Sequence, residues 1–259
     1  MTDVAAVQDP PTETGPRPAP WLTEARAFVR AVERASAGDS GVRAALRSGL
    51  GKDLDEVPRM HRVIAPLLPP TVVNDDDAQR AFYTVAALIA THRRGAAADE
   101  TESPASSDNS AGAPEQAVPD SEDTTAVGGA EESQGPEALE KRRQRRYGES
   151  LGFTFAVAVG RGPREGIRES AAETRMNLLT RQSTAGLHRH LPAAVRQLCD
   201  RGTPPDWARL LVDLRAWPRD RRNIGRRWLQ DFYRTRHRRD LEAARHSDDT
   251  SPVAEPAAD

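Results

Sequence analysis

Apolar residues recur at helical spacing through much of the second half of the chain. Between Glu169 and Thr235 they form three stripes, which predict three consecutive amphipathic helices. The stripes are Leu187, Leu191, Ala194, Val195 and Leu198; Trp207, Leu210, Leu211 and Leu214; and Ile224, Trp228, Phe232 and Thr235. Asp206 and Asp220 stand at N-cap positions before the second and third stripes. Pro192 predicts a kink or a break within the first stripe.

The same spacing predicts four helices in residues 21–93, enough for a small bundle. Their expected limits are Pro20 and Gly38 for the first, Asp39 or Ser40 and Gly49 for the second, Asp55 and Pro69 for the third, and Asp75–Asp77 for the start of the fourth. Pro58 suits the first turn of the third helix, and Pro66 is expected to kink it.

The apolar run Phe153–Val159 comes closest to strand-like alternation. A lone strand would have no pairing partner, so a short helix from Leu151 to Ala158 is the better interpretation. The predicted fold class is all-α, with two small helical bundles of about four helices each joined by a disordered acidic insert. The predicted organisation is a disordered tail at 1–20, an N-terminal helical lobe at 21–94, the insert at 95–138, an Arg-rich helical lobe at 139–240 and a disordered acidic tail at 241–259.

Composition is the basis for the disordered insert. Residues 95–137 contain eleven acidic residues and no Lys, Arg or aromatic residue. Such a segment cannot bury enough apolar surface to offset the entropy lost on ordering, so disorder is expected.

The acidic segments conceal a strongly basic remainder. The formal net charge is −2, but the insert and the two tails contribute most of the negative side, and residues 21–94 and 138–245 hold 36 basic against 21 acidic residues. Nearly all the basic residues are Arg, whose guanidinium suits bidentate phosphate contacts. Several arginines on one surface would bind nucleic acid in a salt-sensitive manner that tolerates any sequence.

Two basic features each have two interpretations. The run 140–146 could contact nucleic acid, or it could be drawn to the acidic insert just before it. Arg26, Arg30 and Arg34 share one side of the first helix, which could be a solvated face or a binding face.

No residue pattern indicates catalysis. The chain has no glycine-rich phosphate loop, nucleophile elbow or His-Glu-x-x-His motif, and it predicts neither a cofactor nor a metal site. His188 and His190 diverge on a helix, so they are expected to be ordinary polar or interface residues. Cys199 is expected to be a small core residue. The tryptophans that could stack bases are expected in the core because they share helical stripes with leucine; these are Trp207, Trp217 and Trp228.

No apolar run approaches the roughly 20 residues that span a bilayer. The N-terminus shows no secretion leader. We therefore expect a cytoplasmic protein.

Several short motifs, in order and spacing, resemble the CasB family, the small subunit of the type I-E CRISPR surveillance complex Cascade. They are Ala45–Arg47 with Gly49–Gly51, Val57-Pro58, Ile64–Leu67, Glu149–Gly152, Glu173–Leu179, Leu187–Leu191, Pro205–Leu211 and Arg226–Tyr233. The long acidic insert is a departure, because relatives have a short connector there. We expect it to be a flexible loop that competes for the basic face.

The resemblance implies a non-catalytic, all-helical subunit whose copies pair within a complex of other Cascade subunits, crRNA and target DNA. Basic faces would hold the target strand and the displaced strand of the R-loop, while guide pairing selects the sequence. The positions that match by this resemblance are Arg47, Arg62, Arg175, Arg189 and Arg196, followed by Arg43, Lys52, Arg181, Arg226 and Arg227.

Two other functions remain open from the residues alone. The chain could be a free-standing helical DNA-binding regulator with a recognition helix at 219–235. It could also be a structural adaptor whose basic face meets an acidic protein.

Overall fold

The computed structural model describes residues 19–99 and 146–250, and every regular element within those two ranges is helical. The helices are α1 (Pro20–Gly38), α2 (Ser40–Arg47), α3 (Pro58–Ile64), α4 (Asp76–Asp99), α5 (Leu151–Val159), the single turn α6 (Gly162–Glu165), α7 (Glu169–Thr180), α8 (Thr184–Cys199) and α9 (Trp207–Thr250). The predicted all-α fold class is confirmed. Most of the predicted insert, both chain ends and basic residues 140–145 lie outside the described residues.

Aspartates cap two helices of the first half, α2 and α4, as predicted. Asp39 accepts hydrogen bonds from the backbone N–H groups of Gly41 and Val42 at 2.6 and 3.2 Å. Asp75 accepts one from the N–H of Ala78 at 3.0 Å, at the start of α4. Each carboxylate thereby satisfies N–H groups that have no partner inside the helix.

The predicted cap of the third helix is wrong. Asp55 lies inside a short 3-10 turn, Leu54–Glu56, which Asp53 opens by donating its N–H to the Glu56 carboxylate at 3.2 Å. Helix α3 begins afterwards at Pro58, without a side-chain cap. A proline in the first turn has no N–H that needs a partner, and its φ angle is already helical.

Of the predicted kink or break at Pro192, the break is absent, because α8 is a single helix from Thr184 to Cys199. Proline inside a helix costs about 3 kcal/mol. The buried side of α8 contributes Leu187, Leu191 and Leu198, and each buried leucine stabilises by about 1.5–3 kcal/mol. Burial of the apolar stripe therefore outweighs the missing hydrogen bond.

Helix α9 has two arms that meet at Asp220, where the backbone leaves helical geometry (φ −134°, ψ 25°). This break separates the second and third predicted stripes. Pro218 lies two residues earlier and removes a hydrogen-bond donor from the same turn. The second arm continues to Thr250, beyond the expected limit of the Arg-rich lobe at 240.

Buried side chains from both halves of the chain form one hydrophobic cluster. Helix α4 packs against α1, α2, α8 and α9, and α9 also packs against α5 and α7. The rings of Trp217 and Trp228 are fully buried with centroids 5.1 Å apart, one on each side of the Asp220 kink. Trp207 is also buried, so the prediction of core tryptophans is confirmed.

Candidate nucleic-acid interface

A buried carboxylate joins the two arms of α9. Asp213, on the first arm, accepts hydrogen bonds from Arg209 Nε at 2.9 Å, Arg227 Nη2 at 2.7 Å and Trp228 Nε1 at 2.6 Å. Arg227 and Trp228 lie beyond the kink, so these contacts set the angle between the arms. Burial raises the pKa of the Asp213 carboxyl, and the two guanidinium groups oppose that rise.

A second buried carboxylate fastens α5 to the second arm of α9. Ser150 Oγ donates to Asp231 Oδ2 at 2.6 Å and accepts the Phe153 N–H at 3.3 Å as the N-cap of α5. A Cβ at Gly152 would stand 1.8 Å from the Trp228 carbonyl oxygen, so the absence of a side chain permits this close helix contact.

Neither buried carboxylate was predicted from the sequence. Asp213 lies between Leu211 and Leu214, and Asp231 directly precedes Phe232. An acid placed within an apolar stripe, with an arginine four residues before it, is the available signal. That signal was masked by the abundance of Arg in this segment.

The predicted binding residues occupy several elements. Six are exposed and four are half-buried. The exposed ones are Lys52, Arg62, Arg181, Arg189, Arg196 and Arg226, and the half-buried ones are Arg43, Arg47, Arg175 and Arg227.

Helices α2 and α8 each bring two of these residues to one side. Arg43 and Arg47 are one helical turn apart on α2, and Arg189 and Arg196 are two turns apart on α8. In the described part of the chain, no carboxylate lies within ion-pair distance of these four residues. Their guanidinium charge is not neutralised by the protein's own described acids.

Arg226 and Arg227, on the second arm of α9, are both engaged within the protein. Arg227 is bound to Asp213, and Arg226 donates to the Asn223 side-chain oxygen. Any phosphate contact from Arg227 competes with a buried carboxylate that it already neutralises.

Two histidines connect helices through hydrogen bonds. His188 on α8 is buried, and its Nδ1 lies 2.9 Å from Thr84 Oγ1 on α4. Burial, with a smaller contribution from Arg80, lowers the pKa of His188 to about 4, so the ring is neutral at pH 7. His61 lies between Tyr83 OH at 2.7 Å and the Leu54 carbonyl at 3.0 Å.

A cavity of about 650 Å³ lies between α4 and α8, beside Arg196. Cys199 lines it, and burial raises the pKa of this thiol to about 12, which keeps it protonated and a poor nucleophile. Within the two described ranges no cluster of three or more His, Cys, Asp or Glu residues could hold a metal ion. None of the helices there is long and apolar enough to cross a membrane.

The family model of CRISPR-associated protein Cse2 matches residues 42–233. Among solved structures, a chain of a CRISPR RNA-guided surveillance complex is 28% identical, with a TM-score of 0.58, over 86% of this chain and 99% of that one. A chain of such a complex in a pre-nicking state is 30% identical, with a TM-score of 0.61, over 86% and 98%.

The crystal structure of CasB from M. ruber is 21% identical, with a TM-score of 0.52, over 85% of this chain and 98% of that one, which shows a shared fold. No curated protein sequence matches. The family model covers well over half of the chain, and the resemblance predicted from the motifs is confirmed. The chain therefore belongs to the CRISPR-associated Cse2 family.

Proposed function

We propose that this protein is a non-catalytic small subunit of a type I-E Cascade surveillance complex, where it holds the target and displaced DNA strands and so stabilises the crRNA-guided R-loop. Family membership and the two similar chains from surveillance complexes support the assignment to a complex. The observation that carries the DNA-binding role is the pair Arg189 and Arg196 on α8, which are exposed and have no ion-pair partner among the described carboxylates.

Backbone contact is the chemistry that these arginines support. Each phosphate that an arginine neutralises releases condensed counterions, which favours binding at low salt and carries no sequence information. Sequence selection then belongs to guide pairing. Partner subunits, crRNA and a second copy of this chain complete the proposed assembly.

The strongest contacts are assigned to the five arginines that come first in the resemblance, none of which has an ion-pair partner among the described carboxylates. These are Arg47, Arg62, Arg175, Arg189 and Arg196. Arg43, Lys52, Arg181 and Arg226 are assigned supporting contacts, and Arg227 the weakest because Asp213 already binds it.

The test is R-loop formation by the complete guide-loaded complex carrying the double variant Arg175→Ala with Arg196→Ala. We expect weaker R-loops and a shallower salt dependence, with the slope of log K against log salt reduced by about 2. The matched control is Arg215→Ala with Arg219→Ala, which removes the same charge from residues paired with Glu24 and Asp75 at 3.5 and 3.2 Å.

Unchanged R-loop stability in the double variant, with protein and guide RNA assembled normally, would count against the proposal. A footprint of the protein alone at one defined sequence, without guide RNA, would favour a regulator instead. Capture of an acidic protein that survives nuclease treatment and high salt would favour an adaptor.

A further inference from the structure

Two exposed aromatic side chains face each other across the start of α1. Trp21 and Tyr147 are 37% and 36% exposed, although large aromatic side chains are usually buried. Their rings are within 20° of parallel, and their centroids are 6.4 Å apart. A centroid distance in the range of about 4.5–7 Å is typical of an offset aromatic pair, so the two rings form one extended aromatic surface.

Arg209 contacts both aromatic residues, the ring of Trp21 and the main chain of Tyr147. Its guanidinium lies 5.7 Å from the Trp21 ring centroid, and its Nη1 donates to the Tyr147 carbonyl at 2.7 Å. Arg209 itself is buried and bound to Asp213. Gly148, at φ 75°, then turns the chain away from Tyr147 in a conformation that other residues rarely adopt. The aromatic pair is therefore preorganised by the core of the protein.

A cavity of about 380 Å³ opens beneath the two rings. This volume is within the range of about 300–1,000 Å³ that small-ligand sites occupy. Val212, Ala216 and Ile224 supply its apolar wall, while Asp220, Arg227 and Asp231 bring hydrogen-bond acceptors and donors. A flat group with an apolar face and a polar edge suits this lining.

The surroundings of the cavity are basic. Arg146 lies 5.2 Å from the Tyr147 ring centroid, and its side chain is exposed at the rim. Arg221 and Arg222, both exposed, directly follow the kink at Asp220. A polyanion that approaches this end of the molecule meets positive charge before it meets the rings.

We propose that the Trp21–Tyr147 pocket receives one nucleobase of a single DNA strand, with the base stacked on the aromatic pair and its polar edge directed to the floor. The inference rests on the proposed function and adds a base-dependent contact to the phosphate contacts there. The lining combines the guanidinium groups of Arg209 and Arg227 with three carboxylates, so the floor offers both donors and acceptors to the polar edge of a base.

The test compares two fluorescent probes of equal length and charge, an oligothymidine and an abasic oligonucleotide, with the full chain. We expect the wild-type protein to bind oligothymidine about 5- to 150-fold more tightly, the range for stacking of one base. Trp21→Ala with Tyr147→Ala should bring oligothymidine to the abasic level without changing the abasic affinity. Trp21→Phe with Tyr147→Phe, which keeps two rings, should retain most of the difference.

Tyr233→Ala is the matched control, because Tyr233 is an exposed aromatic residue, at 47%, on the second arm of α9. It should leave the preference for oligothymidine intact. Thermal unfolding of each variant is monitored by circular dichroism, and a melting temperature equal to that of the wild type shows that the fold is retained.

Equal wild-type affinities for the two probes, with strong salt dependence, would overturn the pocket and leave the proposed function standing. Absence of binding to both probes, alone and in the assembled complex, would contradict both. If the alanine variant keeps its base preference but no longer joins the other subunits, the pocket is a protein contact and the inference is wrong.

Discussion

Helices α8 and α9 both present arginine, yet the described carboxylates pair with several arginines of α9 and with none of α8. On α8, Arg189 and Arg196 are exposed, and no described carboxylate pairs with them. On α9, several arginines are paired with acids from the same helix or from α1, α4 and α7. These are Arg209, Arg215, Arg219, Arg227 and Arg236.

The difference shows that arginine density does not by itself define a binding face. A paired guanidinium contributes little field beyond its own carboxylate, whereas an unpaired one attracts anions over about 10 Å at ordinary salt. Among the described residues, five arginines of α9 therefore help to order the fold, whereas Arg189 and Arg196 on α8 keep their charge available to an outside anion.

The largest effect on stability is expected from breaking the buried arginine–carboxylate contacts of α9. Asp213→Ala leaves Arg209 and the Trp228 indole N–H without their buried acceptor and should lower the free energy of unfolding by about 3–5 kcal/mol. Urea denaturation followed by circular dichroism measures it. Asp240→Ala removes the exposed partner of Arg236 and should change stability by less than about 1 kcal/mol. Similar losses in both variants would contradict the structural role of the Asp213 cluster.

A pH effect of intermediate size is expected at the inner side of α8. The pKa of His188 is about 4 in the folded protein, below its usual value of 6.5, so the unfolded chain binds more protons between these pH values. The contribution of neutral His188 to the free energy of unfolding is fully present above pH 6.5 and is lost as pH falls towards 4, by about 3 kcal/mol at most. Urea titrations at several pH values in this range should show the free energy of unfolding rising with pH, and His188→Gln should reduce that slope. An unchanged slope in that variant would assign the effect to other groups.

The smallest effect on stability is expected on the open side of α8. Arg189→Ala should leave the free energy of unfolding within about 0.5 kcal/mol and reduce the slope of log K against log salt for single-stranded DNA by about 1. Arg219→Ala, which removes an equally exposed but paired arginine, should change that slope less. Anisotropy titrations at several salt concentrations distinguish the two. Equal changes would remove the distinction between paired and unpaired arginines.

The helices were predictable because their periodicity is a local property. The stripes at Leu187–Leu198 and Ile224–Thr235 correspond to buried faces of α8 and α9, and the core tryptophans followed from the same spacing. The wrong cap at Asp55 and the absent break at Pro192 have one cause. A cap or a proline biases a helix boundary by a few kcal/mol at most, and packing of the whole apolar face can outweigh it.

The candidate interface was predictable only as a set of residue types. The resemblance named ten basic residues, but it could not separate the unpaired Arg196 from the paired Arg227. The carboxylate that binds Arg227 is Asp213, which lies fourteen residues before it, across the kink of α9. The Trp21–Tyr147 pair joins the start of the first half to the start of the second, and no local pattern relates them.

The amino-acid sequence alone determined that this protein is helical, which faces of its helices are apolar, and that its folding part is cationic, because these depend on neighbours within a few residues. Only the tertiary structure decided which arginines keep their charge available and which are paired with a carboxylate of the protein. That choice depends on distances of about 3 Å between residues well separated in the chain, as in Arg227 with Asp213 and Arg219 with Asp75, and only packing brings them that close.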